Sequence, residues 1–186
     1  MSTTLIIIVV LVLAALLFVG MYNGFVSLKT KVDEAWSGIS VQLKRRYDLI
    51  PNIVNTVKGY AAHEKDTLER VIAARNSAVS LKPGDVQGLS QANASITQGI
   101  RQLFALAESY PDLKANANFI DLQNKLSEIE DYLQNARRYY NATVRDYNIK
   151  CQSFPSVIIA RIFGFNTREF FELDSPEESK NVEVKF

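Results

Sequence analysis

The chain has 186 residues, with 21 Lys and Arg against 20 Asp and Glu and a formal net charge of +1. That balance argues against a dedicated nucleic-acid binder, which carries a clear basic excess on one face. One cysteine, Cys151, and one histidine, His63, exclude an internal disulfide, a thiolate metal cage and any His–His relay by count alone.

The first element is an apolar run, Leu5 to Val19, and no charged side chain precedes Lys29. A bilayer core takes about 20 mostly apolar helical residues, so residues 5–22 read as a span held in lipid. A cleaved signal peptide would need a basic start and a small-x-small cleavage site. No Lys or Arg precedes the run and no convincing Ala-x-Ala pattern follows it, so a retained anchor is expected. Lys29 and Lys31, with Lys44, Arg45 and Arg46 further along, favour a cytoplasmic domain and an outside N-terminus by positive-inside counting.

Behind the anchor the apolar positions step by three and four: Phe25, Leu28, Val32, Ala35, Ile39, Leu43, Tyr47, Ile50, Val54 and Val57. This is a helical stripe, and it keeps its phase across Pro51. A proline inside a helix frees the carbonyl four residues back, here Tyr47. The spacing therefore predicts one long helix bent at Pro51 rather than two helices, with an end near residue 60. Tyr47 O then needs a partner, for which a nearby Asn is a candidate.

A second helix is expected from about Glu64 to Leu81, with Leu68, Val71, Ile72, Ala74, Ala78 and Val79 inward. Lys82-Pro83-Gly84 stops it, and Asp85 caps a third helix. That third helix runs to about Tyr110 with Leu89, Asn93, Ile96, Ile100, Leu103, Phe104 and Ala107 inward. The fourth carries a heptad seam, Phe119, Leu122, Leu126, Ile129, Leu133, Ala136, Tyr140, Thr143 and Tyr147. Within it Tyr-Asn recurs seven apart, as Tyr140-Asn141 and Tyr147-Asn148, which reads as seam packing with polar tips that bond to neighbours. Phe154-Pro155 breaks this helix, and Ser156 to Phe163 reads as a short apolar segment ending at Gly164. From Arg168 to Phe186 three basic and six acidic residues give a net charge of −3, expected as a mostly irregular tail with brief alternation at Val182 to Phe186.

The fold expected is all-α: a transmembrane helix in residues 1–24, an antiparallel, up-and-down four-helix bundle over 25–165, and the acidic tail at 166–186.

Chemistry-bearing patterns are sparse. His63-Glu64 fails as a zinc motif because Thr67 stands where the second His belongs. Cys151 reads as a buried small residue at the seam's end. The carboxylates lack the Glu-x-x-His pairs of a di-iron bundle. Lys44 lies roughly 30 Å beyond the apolar run along a straight helix, so Arg45 and Arg46 are too far out for lipid headgroups. They suit a protein partner or an internal pair, and Asp48 is a candidate to pair with Arg137 or Arg138. Arg45, Arg46, Asp48, Asn52 and Lys58 form the candidate docking set. Pro51, Tyr140, Asn141, Tyr147 and Asn148 form the structural set. No cofactor, metal, catalytic residue, nucleic acid or small-molecule substrate is expected.

The run RRYDLIPNIVNTVKGYAAHEKDTLERVIAAR, Arg45 to Arg75, closely resembles the signature of the LemA family of bacterial membrane proteins. So do Tyr110-Pro111-Asp112-Leu113-Lys114-Ala115-Asn116, Ala136-Arg137-Arg138-Tyr139-Tyr140-Asn141, Tyr147-Asn148, Phe154-Pro155 and the ending Val184-Lys185-Phe186. The resemblance spans the chain. It implies a LemA-like up-and-down bundle behind one N-terminal transmembrane helix, with a short extracytoplasmic N-terminus, in the bacterial cell (inner) membrane. It supplies no reaction. The expected role is a non-catalytic scaffold or adaptor that binds or modulates another membrane protein. The alternatives are a self-assembling protein that shapes the membrane and, last, an enzyme with an unfamiliar site.

Overall fold

The computed structural model describes residues 3–82 and 84–171. Among these the chain is all helical, with no strand. The elements are α1 (Thr3–Lys58), α2 (Lys65–Val79), α3 (Val86–Ala107), α4 (Pro111–Lys114), α5 (Ala117–Gln152) and α6 (Ser156–Phe163). The alternation expected at Val182 to Phe186 lies outside the described residues.

Helix α1 is continuous through Pro51. Its start, Leu5 to Val19, is exposed and is long and apolar enough to cross a membrane. From Phe25 on, the stripe is buried at Val32, Ala35, Ile39, Leu43, Tyr47, Ile50, Val54 and Val57, with Leu28 half-buried. The carbonyl freed by Pro51 does find a partner, but not an asparagine: Arg75 Nε donates to Tyr47 O at 3.4 Å.

The remaining boundaries follow their capping chemistry. Asp85 accepts from Gly88 N–H at 2.8 Å and opens α3. This helix ends at Ala107 rather than Tyr110, because Pro111 starts the single turn α4. Asn116 then accepts from Phe119 N–H at 3.0 Å in the first turn of α5. Each side-chain oxygen satisfies an amide that the first helical turn leaves without an intrahelical partner.

In α2 the buried positions are Leu68, Val71 and Ala78, while Ile72 and Val79, expected inward, are exposed. One residue turns a helix by about 100°. The face that carries Val71 inward therefore carries Ile72 out.

The described residues divide into two compact units, 3–38 with 138–170, and 39–137 with Phe171. The first is built on aromatic contacts. Phe25 meets Tyr147 edge-on at 6.3 Å and stacks on Phe165 at 4.7 Å, and Trp36 lies 5.4 Å from Tyr140. Gly164 makes the Phe165 contact possible. Its φ of 70° lies in the left-handed region open to glycine, and Phe165 N–H bonds back to Ala160 O at 2.9 Å.

The second unit is mainly aliphatic. Helices α2 and α3 approach closely at Gly99, where a β-carbon would lie 2.9 Å from Val71 Cγ2. Tyr110 donates to Glu64 Oε1 at 3.3 Å, and Asn116 donates to Tyr60 at 2.9 Å. These two bonds tie the α1–α2 turn to the α3–α5 connection.

Candidate interaction surface

The docking set splits on the helix wheel. At about 100° per residue, Arg45, Asp48 and Asn52 share an arc of roughly 60°, whereas Arg46 is turned by about 100° and Lys58 by about 140° from Arg45. Burial agrees: Arg45, Asp48, Asn52 and Lys58 are exposed, and Arg46 is 3% exposed.

Arg46 thus leaves the docking set and takes the internal-pair alternative. Its Nη1 donates to Asn93 Oδ1 at 2.6 Å, and Nη2 donates to Thr97 Oγ1 at 2.8 Å and pairs with Glu130 Oε2 at 3.0 Å. Thr97 in turn donates to Asn93 O at 3.1 Å. The planar guanidinium fork suits this multipoint arrangement and an ammonium does not. Three helices, α1, α3 and α5, converge on one cation.

Asp48 forms no ion pair with Arg137 or Arg138 among the described residues. Arg137 instead lies over the buried Phe171 ring, 5.1 Å from its centroid. Asp48 borders two grooves. One, of about 360 Å³, is lined by Arg45, Asp48, Leu49, Lys125, Glu128, Ile129 and Tyr132. The other, also about 360 Å³, is lined by Ser40, Leu43, Lys44, Tyr47, Asp48, Arg75, Ala78, Val79 and Leu89. Exposed Tyr132 stands in the first and exposed Val79 in the second. The face is therefore a charged ridge with an apolar trough on each side, a pattern suited to a protein surface with apolar anchors and a polar rim. Sequence reasoning placed the ridge and missed the troughs, which take residues from helices remote in sequence.

The structural set has a different task. Tyr140 donates to Glu169 O at 3.0 Å. Asn148 donates to Arg168 O at 2.9 Å and accepts from Arg168 N–H at 2.8 Å. One side-chain amide thereby satisfies both backbone groups of Arg168. Residues 165–171, after α6, are irregular and are clamped along α5. Arg168 adds a 3.4 Å contact to Asp33. Asn141 is half-buried. Burial pushes the Tyr147 phenol up to about 12, with the adjacent Cys151 thiol as the next cause. Burial likewise raises Cys151, Tyr140 and Tyr47 above their ordinary values. Among the described residues no three His, Cys, Asp or Glu side chains converge closely enough to hold a metal ion.

The profile of the LemA family matches residues 35–186. Magnetosome protein MamQ 2 of Paramagnetospirillum magneticum is 25% identical over 175 residues, covering 81% of this chain and 64% of its own length. Magnetosome protein MamQ of Magnetospirillum gryphiswaldense is 23% identical over 174 residues, with the same two shares of 81% and 64%. Protein LemA of Metamycoplasma hominis is 26% identical over 147 residues, covering 77% of this chain and 65% of that protein. The chain thus spans just under two thirds of the curated relatives it matches.

Proposed function

The chain belongs to the LemA family, and from that premise we propose that it is a single-pass protein of a bacterial membrane whose helical domain acts without catalysis, as an adaptor that binds or modulates another membrane protein. In this reading residues 5–22 lie in lipid, within an anchor region of 1–24. Residues 25–165 form an antiparallel four-helix bundle on the cytoplasmic side, and 166–186 form its tail.

Contact pairs support the antiparallel arrangement. From Phe25–Tyr147 to Trp36–Tyr140 the number rises in α1 as it falls in α5. Arg46 joins Asn93 to Glu130, and Phe104 meets Phe119, which supports opposite directions for α3 and α5. Val71 beside Gly99 and Glu64 beside Tyr110 give the same sense for α2 and α3.

The observation that carries the adaptor reading is the ridge of Arg45, Asp48 and Asn52 between its two troughs. It is exposed, mixed in charge and lies on a rigid helix, as a protein-docking face should be. Photo-crosslinking in intact membranes tests it, with a benzophenone side chain at Asn52 and, as control, at exposed Tyr139. A hetero-adduct from position 52 that the control lacks is expected. An adduct of dimer mass would favour self-assembly instead, and equal yields from both positions would remove the ridge as a docking face.

A further inference from the structure

We propose that α6 is a second membrane contact, lying in the headgroup layer beside the anchor helix; this rests on the reading of residues 5–22 as a lipid-held span. Helix α6 buries Ser156, Ile159 and Ala160. Its other side carries Phe154 (in the preceding turn), Ile158 and Ile162, which are 83%, 50% and 64% exposed. Ile158 and Ile162 step by four residues and form one apolar stripe along the helix, and Phe154 adds an exposed ring in the turn that leads into it.

Three contacts fix where that stripe sits. At the C-terminal end, Phe163 packs 5.8 Å from Phe18 and edge-on at 4.8 Å against Tyr22. Those two residues flank the point where the apolar run stops. At the N-terminal end, Tyr147 in α5 meets Phe25, and α5 continues five residues to Gln152. Those five residues advance about 7.5 Å, which carries the turn before α6 to the level of Gly20 in α1. Ser156 locks that turn by donating to Lys150 O at 2.6 Å and Ser153 O at 2.9 Å. Both ends of α6 therefore stand at one depth, the edge of the hydrocarbon. The helix crosses the anchor rather than extending it.

The occupant of the stripe is lipid. An apolar face in the interface plane, with aromatic residues at the boundary, is the arrangement of a helix bound within the headgroup and acyl border. Arg161 is exposed and lies about 60° from Ile158 on the helix wheel, where its guanidinium reaches anionic headgroups while its stem stays among acyl chains. Phe154, Ile158 and Ile162 would otherwise be left in water next to a membrane that accepts them.

The test uses the full chain in vesicles of phosphatidylcholine and phosphatidylglycerol. A nitroxide is placed at Ile158→Cys or Ile162→Cys in a Cys151→Ala background, with Leu13→Cys and Tyr139→Cys as references. Collision with oxygen against a water-soluble nickel chelate gives depth. Labels at 158 and 162 are expected to favour oxygen several-fold more than the label at 139, and to lie shallower than the label at 13. Water-like values at 158 and 162 with a lipid-like value at 13 overturn the α6 contact and leave the anchor standing. Water-like values at all three overturn both. Spin–spin broadening between labels at 158 would overturn lipid as the occupant in favour of a second copy of the chain.

Discussion

The two units of this chain hold together by different physics. Residues 3–38 with 138–170 rely on ring contacts and on a clamped irregular segment, with Phe25 serving Tyr147 and Phe165 at once. Residues 39–137 rely on close aliphatic helix packing around buried Arg46, which three helices share. Ring contacts and surface amide clamps each contribute modestly and tolerate substitution. A buried charge shared by three helices tolerates none, because every partner loses its satisfaction together. The difference predicts a brittle unit and a forgiving one.

The largest effect is expected at Arg46. In Arg46→Met, the buried Oδ1 of Asn93 loses the Arg46 guanidinium, and Glu130 loses its cation. The expected cost is about 3 kcal/mol, read as a lower thermal unfolding midpoint by circular dichroism in nanodiscs. Arg46→Lys should recover less than half, since an ammonium does not fork to Asn93 and Thr97. A Met variant as stable as the parent would mean that the buried network is dispensable and that the units do not differ as described.

Next comes Gly99→Ala. Alanine improves helix propensity by roughly 0.5–1 kcal/mol, but its β-carbon would sit 2.9 Å from Val71 Cγ2. Valine is stiff about χ1 and yields little, so overpacking of about 1–3 kcal/mol wins. Gly99→Ala with Val71→Ala should relieve the clash and unfold later than Gly99→Ala alone, although it gives up part of Val71's packing. Without that rescue, the close approach of α2 and α3 would not be what glycine serves.

These two sites show what could be read in advance. The stripe on α1 and the seam on α5 fixed which faces turn inward, because period and burial are the same fact seen twice. Asp85 as a cap followed from its place before an apolar run. Arg46 carried a signal that was legible and misjudged: it stands three after Leu43 and four before Ile50, on the buried stripe, with Asn93 on the inward face of α3 to receive it. The clamp was not legible in the same way. Tyr140 and Asn148 stood out by spacing, but what they hold at Arg168 and Glu169 is backbone, which leaves no pattern in side-chain identities. The troughs beside the ridge likewise arise only when distant helices are brought together.

In the aromatic unit, pH gives a smaller and directional test. Tyr147 is pushed up to about 12 from 10.0, so folding keeps its phenol protonated. Stability from this group is complete below about pH 10 and drains away as pH rises toward 12. Tyr140 of the same unit is raised as well, as is Tyr47 of the other, and both contribute in the same sense. Tyr147→Phe should make the alkaline loss shallower over that window without moving the neutral baseline by more than the lost thiol contact. An unchanged alkaline profile would place the phenol in water.

Asn148→Ala removes two bonds to Arg168, about 1–2 kcal/mol before solvent competition is counted. The loss should be local. Amide exchange is expected to rise at residues 166–170 while α2 and α3 stay protected, as a forgiving unit requires. Asn148→Asp separates geometry from charge: a carboxylate still accepts from Arg168 N–H but cannot donate to its carbonyl. Its protection should fall between parent and alanine.

The smallest change in stability is expected on the ridge, and there its smallness is the point. Arg45 and Asp48 are exposed and anchor nothing in the core, so Arg45→Glu with Asp48→Arg should shift stability by no more than about 0.5 kcal/mol. If the ridge docks a partner as proposed, its charge placement mainly governs encounter and choice of partner. The exchanged pair should therefore abolish the crosslink from position 52 while the unfolding midpoint stays put. Arg46, one residue away, should do the reverse, lowering the midpoint in proportion to any binding it loses. If the exchanged pair and Arg46→Met instead depress stability equally, the ridge belongs to the fold, and the division between a surface that binds and a cation that holds would have to be abandoned.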